Sequence, residues 1–392
     1  MNVNIEVFDR EVIENIVTCL NFKMDKVIFF GHHDTMDEES KAITRWALAK
    51  LCDVTDVTFR EVSTKDIDRV LEKITQEVHT EERAGGKCYF DLTGGADMVL
   101  VAMGMYSATH NTPMHRYDIA DGELKILNTD ADHVDKCVEG RQTHLTINDL
   151  VKLRGGVVDR SMQKSFKDGF SDALKRDIYA LWQVASSDMN KWNDFSSVLK
   201  ASKTSKFNKS DPDSVPVEWV ERERVQAAVK KQDGIPTEKD FTDYLERLEG
   251  AGCIDKVTTH GDWISFSYKS NHIRGCMLDA GSILELHTYF ERLDSGIYDD
   301  CKIGTHLKWG TNAADDGYMV NNEIDVLLQR GYVLTFISCK AGAPDQMALY
   351  ELDAVASRFG GKYAQKELVT AGEMEPHHAQ RAKEMHITVV QV

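Results

Sequence analysis

The residues of this chain that could do chemistry are crowded into its last third. In the run 321–342, two β-rich segments flank Gln329-Arg330-Gly331, which reads as an antiparallel hairpin. Folding about that turn brings Asp325 back beside Ser338-Cys339-Lys340. Side-chain alternation sets Glu323, Asp325 and Leu327 on one face, so the central acid has apolar neighbours. A carboxylate in that setting is costly unless a counter-charge offsets it. Two partners suit it: Lys340 and a divalent cation. The cation would clamp a phosphate and lower the pKa of a water, and the lysine would orient that water or stabilise the charge developing on phosphorus. Upstream, Glu285 is fixed between Leu284 and Leu286 on a helix whose apolar face is Ile283, Leu286, Phe290 and Leu293. Taken singly, each acid is an ordinary surface carboxylate. In the order helix, strand, strand they point to metal-dependent phosphodiester cleavage. Cys339 has no histidine near it in sequence and reads as a packed thiol rather than a nucleophile.

Those residues need a frame. At 392 residues the chain exceeds one ordinary core and fits two domains with connecting material. Strand-like runs at Val3–Phe8, Lys26–Phe30, Val57–Val62, Lys87–Leu92 and Met114–Ile119 alternate with helical patterns at Glu11–Asn21, Glu38–Leu51, Lys65–Glu82 and Asp97–Thr109. Such alternation implies crossover connections and a mostly parallel sheet, a Rossmann-like α/β domain over 1–147. Residues 148–269 read as a helical connector with Trp182 and Trp192 as core anchors. Within it, 200–216 is rich in Ser and Lys and reads as a solvated linker, its lysines otherwise suited to a nucleic-acid backbone. A helix at Glu238–Glu249 and a hairpin across Cys253–Tyr268 give a winged-helix outline. Over 270–392 the order becomes helix (Gly281–Leu293), three strands (Cys301–Trp309, Asn322–Leu328, Tyr332–Ser338) and helix (Gln346–Phe359), a second α/β domain.

Composition removes several classes. The chain is 42% hydrophobic and 28% charged, with no apolar run of the roughly 18 residues a membrane helix needs. A soluble protein with no membrane partner follows, and the start MNVNIEVFDR predicts a cytoplasmic location. Eight cysteines without a CxxC pair argue against a disulfide framework and a zinc site. The net charge of -17 repels nucleic acid at long range, so a DNA or RNA substrate must be met at a metal centre or a local basic patch.

Open parallel sheets bind ligands beyond the carboxyl ends of their strands. Here those positions are Phe8-Asp9-Arg10, Gly31-His32-His33-Asp34 and Thr93-Gly94-Gly95. At the last, a strand ends at Asp91-Leu92, two glycines allow close backbone approach, and a helix opens near Asp97, where amides suit a phosphate. Neither GxGxxG nor a Walker lysine is present, so a dinucleotide or ATPase site is not indicated. The candidate ligand-binding residues are therefore Asp9, Arg10, Gly31, His32, Thr93, Gly94, Gly95 and Asp97. His32 and His33 are neighbours whose side chains should diverge, which predicts one facing a ligand rather than a metal pair.

Asn322-Glu323-Ile324-Asp325 and Phe336-Ile337-Ser338-Cys339-Lys340, behind the helix bearing Glu285, resemble the PD-(D/E)xK nuclease superfamily over about Gly281 to Gly361. The resemblance implies a restriction-endonuclease-like domain. In it Glu285, Asp325 and the backbone carbonyl of Cys339 hold Mg2+ or Mn2+, and Lys340 assists the attacking water. Ser338 stands where the family carries an acid and supports the site, with Glu285, Glu351, the Cys339 carbonyl or water covering the loss. The strand-Thr-Gly-Gly-helix signature ahead of such a domain is similar to the CARF-domain effectors of type III CRISPR defence. That similarity implies a homodimer whose paired CARF domains bind a cyclic oligoadenylate, the tetra-adenylate, as allosteric activator and close the nuclease halves on DNA or RNA. Many CARF domains carry a lysine where this chain has Ala96-Asp97, which leaves the ring size open. Two other readings stay open: a ligand-gated transcription regulator with a degenerate nuclease domain, and a repair or restriction nuclease with an unrelated sensor.

Overall fold

Five apolar runs at the start of the chain need cover on both faces, and a parallel sheet between helices supplies it. In the computed structural model, which describes residues 1–63, 65–127, 144–159, 170–204, 217–309 and 322–392, β1 (Asn2–Val7), β2 (Lys26–Gly31), β3 (Asp56–Glu61), β4 (Lys87–Asp91) and β5 (Met114–Asp118) run parallel. A sixth strand, β6 (Glu123–Ile126), returns antiparallel on β5, giving the order β3-β2-β1-β4-β5-β6. Helices Ile67–Arg83 and Asp97–His110 cover one face, where Val70, Ile74, Val99 and Met103 meet Val3, Ile5, Ile28 and Phe90. The expected helix from Glu11 is shorter. Residues 11–16 are turns, with Glu14 N–H donating to the Glu11 carbonyl at 2.8 Å, and helix begins only at Val17–Asn21. Val12, Ile13, Ile16 and Val17 are stiff at χ1, and Asp9 draws the Glu11 amide to its side chain at 2.8 Å.

The next strand, β7 (Gly156–Val158), follows a capping-box helix at Ile147–Leu153 and belongs to the C-terminal sheet. The connector then folds as helices Asp172–Ala185 and Met189–Ser202, strand β8 (Val217–Glu221), helices Arg222–Val229 and Glu238–Gly250, and the hairpin β9 (Ile254–His260) and β10 (Trp263–Tyr268). With the sheet ordered β8-β10-β9, this is the winged-helix outline. Trp192 is its fully buried anchor, donating from Nε1 to the Ala280 carbonyl at 3.1 Å, whereas Trp182 is partly buried and stacks on His287 at 4.3 Å. Of the Ser- and Lys-rich stretch, 205–216 lies outside the described residues.

After the short helix Asn271–Leu278, helix Ala280–Asp294 leads into β11 (Asp300–Trp309), β12 (Asn322–Arg330), β13 (Val333–Lys340), helix Gln346–Gly360 and β14 (Gln365–Thr370). Helix Pro376–Glu384 and β15 (Ile387–Gln391) complete a sheet ordered β15-β14-β13-β12-β11-β7. Alternation divides its side chains between two cores. Leu327, Leu334 and Phe336 join Leu349, Leu352 and Phe359, and this core runs on without a break into Phe8, Ile16, Phe29 and Tyr89 of the N-terminal domain. Val326, Ile337 and Cys339 face the other way, against Leu284 and Phe290 and the winged-helix core. The C-terminal sheet is thus clamped between the other two units. Replacing Trp192 by Ala should cost about 3–5 kcal/mol in denaturant unfolding followed by circular dichroism; a cost below about 1 kcal/mol would mean that the anchor is dispensable.

Candidate active site and ligand pocket

The β12–β13 ladder pairs Val326 with Ile337 and stops there, so the strands part at the end that carries Asp325, Ser338 and Lys340. In the opening, Asp325 takes over the bonds that a backbone carbonyl would make. Its Oδ2 accepts from the Cys339 amide at 2.6 Å and from the Ser338 hydroxyl at 3.3 Å. On β11 the residue opposite is Gly304, held at φ 54°, with nothing within 4 Å of where a side chain would begin, which leaves room beside the acid. Burial pushes the Asp325 carboxyl above its ordinary range, against the pull of the Cys339 amide, Lys340 and Ser338. Lys340 and Ser338 are half-buried on the same strand, two residues apart and so on one face.

Glu285 enters from the helix on the opposite face and is half-buried. Burial first, and then the charge of Asp325, with further contributions from Glu285 and Glu367, lift the Cys339 thiol well above its ordinary value. The thiol is 7% exposed and contacts the Thr288 hydroxyl at 3.8 Å, which makes it a packed group as expected. Glu351 lies on the exposed side of its helix. A desolvated carboxylate with a lysine beside it and oxygen ligands available from Cys339 and Ser338 suits a hard divalent cation. Among the described residues the only three His, Cys, Asp or Glu side chains whose ligand atoms all lie within 4.8 Å are His32, His33 and Asp34, so a cation between Glu285 and Asp325 would also rely on backbone, hydroxyl and water.

In the N-terminal domain the carboxyl ends of β1, β2 and β4 bring together Asp9, Arg10, Gly31, His32 and the Thr93-Gly94-Gly95 turn. Gly95 has φ 100°, and a Cβ there would come within 2.1 Å of Val7, so only glycine closes this turn. Thr93 is its anchor: its amide donates to Asp91 Oδ1 at 2.9 Å and its hydroxyl accepts from the Tyr117 amide at 3.0 Å. The Gly95 amide donates to Asp9 Oδ2 at 3.1 Å, so an acid of the protein itself already faces the amides expected to take a phosphate. Asp97 is exposed in the first turn of its helix, and Arg10 bridges to the Asp34 carbonyl. The expected divergence of His32 and His33 is not what the fold makes. They lie in a turn rather than a strand, their rings 4.0 Å apart, and both meet Asp34, at 3.0 and 2.9 Å.

Beneath the glycine turn lies a buried network that periodicity does not reveal. Burial and the nearby charge of Asp91 push Glu6 well up. Burial opposes ionisation of Asp91 too, but His115 and the Thr18 and Thr93 hydroxyls hold it below its usual range. The one trace in the sequence is an acid closing the apolar run Cys88-Tyr89-Phe90-Asp91.

No protein-family model matches the chain, and no curated protein matches its sequence. Solved structures do match its fold. Protein VC1899 from Vibrio cholerae superposes with a TM-score of 0.69 at 14% identity, over 100% of this chain and 94% of that one. Can2 from Sulfobacillus thermosulfidooxidans, solved in complex with cyclic tetra-adenylate, gives 0.64 at 14% identity, over 99% of this chain and 92% of its own. The fold is the one that these two structures share. Both likenesses run from end to end, so the N-terminal α/β domain, the winged-helix-like middle and the C-terminal α/β domain occur together. No helix among the described residues is long and apolar enough to cross a membrane. The winged-helix unit presents Glu238–Gly250 with five acids and two bases, a net of -3 that disfavours insertion into a DNA groove.

A raised carboxyl binds its proton more readily in the folded chain than in the unfolded one. Asp325 therefore lowers stability as pH climbs from the ordinary carboxylate range through its raised value. With divalent ions chelated near neutral pH, Asp325→Asn should melt higher than the parent by on the order of 1–3 °C, and the gap should close in acid. A variant that melts lower at neutral pH would show that the carboxylate is well compensated without a cation.

Proposed function

We propose that this protein is a cyclic oligoadenylate-activated, divalent-metal-dependent nuclease of type III CRISPR defence, with cyclic tetra-adenylate as its activator. The observation that carries the reading is the parted end of β12 and β13, where a desolvated Asp325 is tied to Ser338 and the Cys339 amide with Lys340 beside it. Support for the activator comes from the fold shared end to end with a protein solved with cyclic tetra-adenylate, and from a glycine turn at the matching end of an open parallel sheet.

Glu285, Asp325 and the Cys339 carbonyl would hold Mg2+ or Mn2+. When bound, the ion supplies Lewis-acid activation of water and of the scissile phosphate. Lys340 orients the attacking water and offsets the charge that grows on the phosphoryl oxygens. Ser338 fixes the Asp325 carboxylate through its hydroxyl. A neutral donor in place of an acid leaves the site one negative charge short, so metal dependence should saturate at higher concentration than a three-carboxylate site would need.

The protein would act as a homodimer. Helix Asp97–His110, which opens from the glycine turn, is apolar on all sides, yet Val101 and Met105 stand 52% and 45% exposed. A helix of that kind is normally covered. Val101→Glu with Met105→Glu should yield monomers by light scattering; an unchanged mass would move the dimer interface elsewhere.

The activity test uses labelled DNA and RNA with Mg2+ or Mn2+, with and without cyclic tetra-adenylate. Cleavage should require both, and Lys340→Ala should lose about 100-fold or more while still binding the activator. Cleavage indifferent to the activator would favour a repair or restriction nuclease. Duplex binding without cleavage would favour a regulator, and unchanged cleavage by Lys340→Ala would remove that residue from the centre.

A further inference from the structure

At the rim of the core shared by the N- and C-terminal domains, the turn after β1 carries three acids, and each is held by a different part of the molecule. Asp9 accepts from the Gly95 amide. Glu11 takes the Arg154 guanidinium. Glu14, only 2% exposed, receives Lys362 Nζ on Oε1 at 2.5 Å together with the Tyr363 hydroxyl. Its other oxygen, Oε2, has no hydrogen-bond partner among the described residues. That oxygen lies against the glycine turn: a methyl group on Gly94 would come within 2.1 Å of it.

One carboxylate therefore touches both domains. The far side of the contact is short. Lys362 and Tyr363 form the turn that ends helix Gln346–Gly360 and feeds β14, and β14 pairs in register with β13 so that Thr370 stands opposite Lys340. Phe336 of β13 packs against the same turn, where a Cβ on Gly360 would meet its ring at 2.6 Å.

We propose that Glu14 is a positioning residue that couples the glycine turn to the nuclease centre. A carboxylate is rigid, so a ligand group that presses on Gly94 or draws its backbone outward moves both oxygens together and shifts Oε1 relative to Lys362 and Tyr363. Burial keeps this from being a loose surface pair. Desolvation raises the Glu14 carboxyl while Lys362 and Tyr363 hold it down, so the charge depends on its nuclease-side partners. The coupling rests on the proposed function in taking the glycine turn as the activator's seat and the end of β13 as the nuclease centre.

The test has an arm that needs no activator. Gly94→Ala forces Glu14 aside, and hydrogen exchange of the full-length chain should then speed up over 361–370. Gly104→Ala, which enters open space, should leave that segment unchanged. Glu14→Ser should speed the same amides, and adding Gly94→Ala should speed them no further. Wild-type exchange at 361–370 in Gly94→Ala overturns the coupling. In the second arm, the isosteric Glu14→Gln should bind cyclic tetra-adenylate within about threefold of wild type. Its activator-stimulated cleavage should fall about 10-fold, as for a coupling free energy of ordinary size. Full stimulation in Glu14→Gln overturns the proposal. If the exchange results hold while the wild type ignores cyclic tetra-adenylate, the coupling stands and the activator assignment fails.

Discussion

The organisation of this molecule depends on a single hydrophobic core that belongs to two domains at once. Phe8, Ile16, Phe29 and Tyr89 on one side and Leu327, Phe336, Leu349 and Phe359 on the other form one continuous packed body. Close-packed interiors transmit displacement rather than absorbing it. The N-terminal and C-terminal sheets, joined in this way, do not float on a linker. Polar contacts around the rim, Glu11 with Arg154 and Glu14 with Lys362, set the orientation that the apolar contact alone would leave undetermined.

Both proposed sites are built by withholding a backbone partner. At Asp325 the ladder stops, and a side chain takes the Cys339 amide; at the glycine turn, Asp9 takes the Gly95 amide. In each case an acid of the chain occupies hydrogen-bond donors that an anionic substrate or activator would compete for. The burial of Asp325 favours a cation, whereas Asp9 beside Arg10 makes the glycine-turn end mixed in sign.

Much of this was legible in the sequence because periodicity reports burial. The parallel strands β1, β2 and β4 are buried on both faces and stand out as runs, and the β12–β13 hairpin declares itself at Gln329-Arg330-Gly331. Order on helix and strands singled out Glu285, Asp325, Ser338 and Lys340, and of these the fold joins Asp325 to Ser338 by a hydrogen bond. What escaped was set by partners distant in the chain. The β-branched crowding of Val12, Ile13, Ile16 and Val17 shortened a helix that apolar spacing had made look longer. The half-exposed strands β14 and β15 have mixed patterns with little signal. Glu14 looks like any acid on an amphipathic segment, since Lys362 and Tyr363 lie almost the whole chain away.

Strand β7 bears on how the polypeptide folds. It comes from just before the winged-helix unit yet lines the outer edge of β11, pairing Val158 with Leu307 and Gly156 with Trp309. The C-terminal sheet therefore closes only by a contact across some 150 residues of chain, a loop-closure entropy that slows assembly. A fragment begun after the connector would leave the end of β11 as a bare edge, with Leu307 and Trp309 open to pairing with a neighbour. Aggregation, rather than simple loss of activity, would be the characteristic failure of the excised C-terminal half.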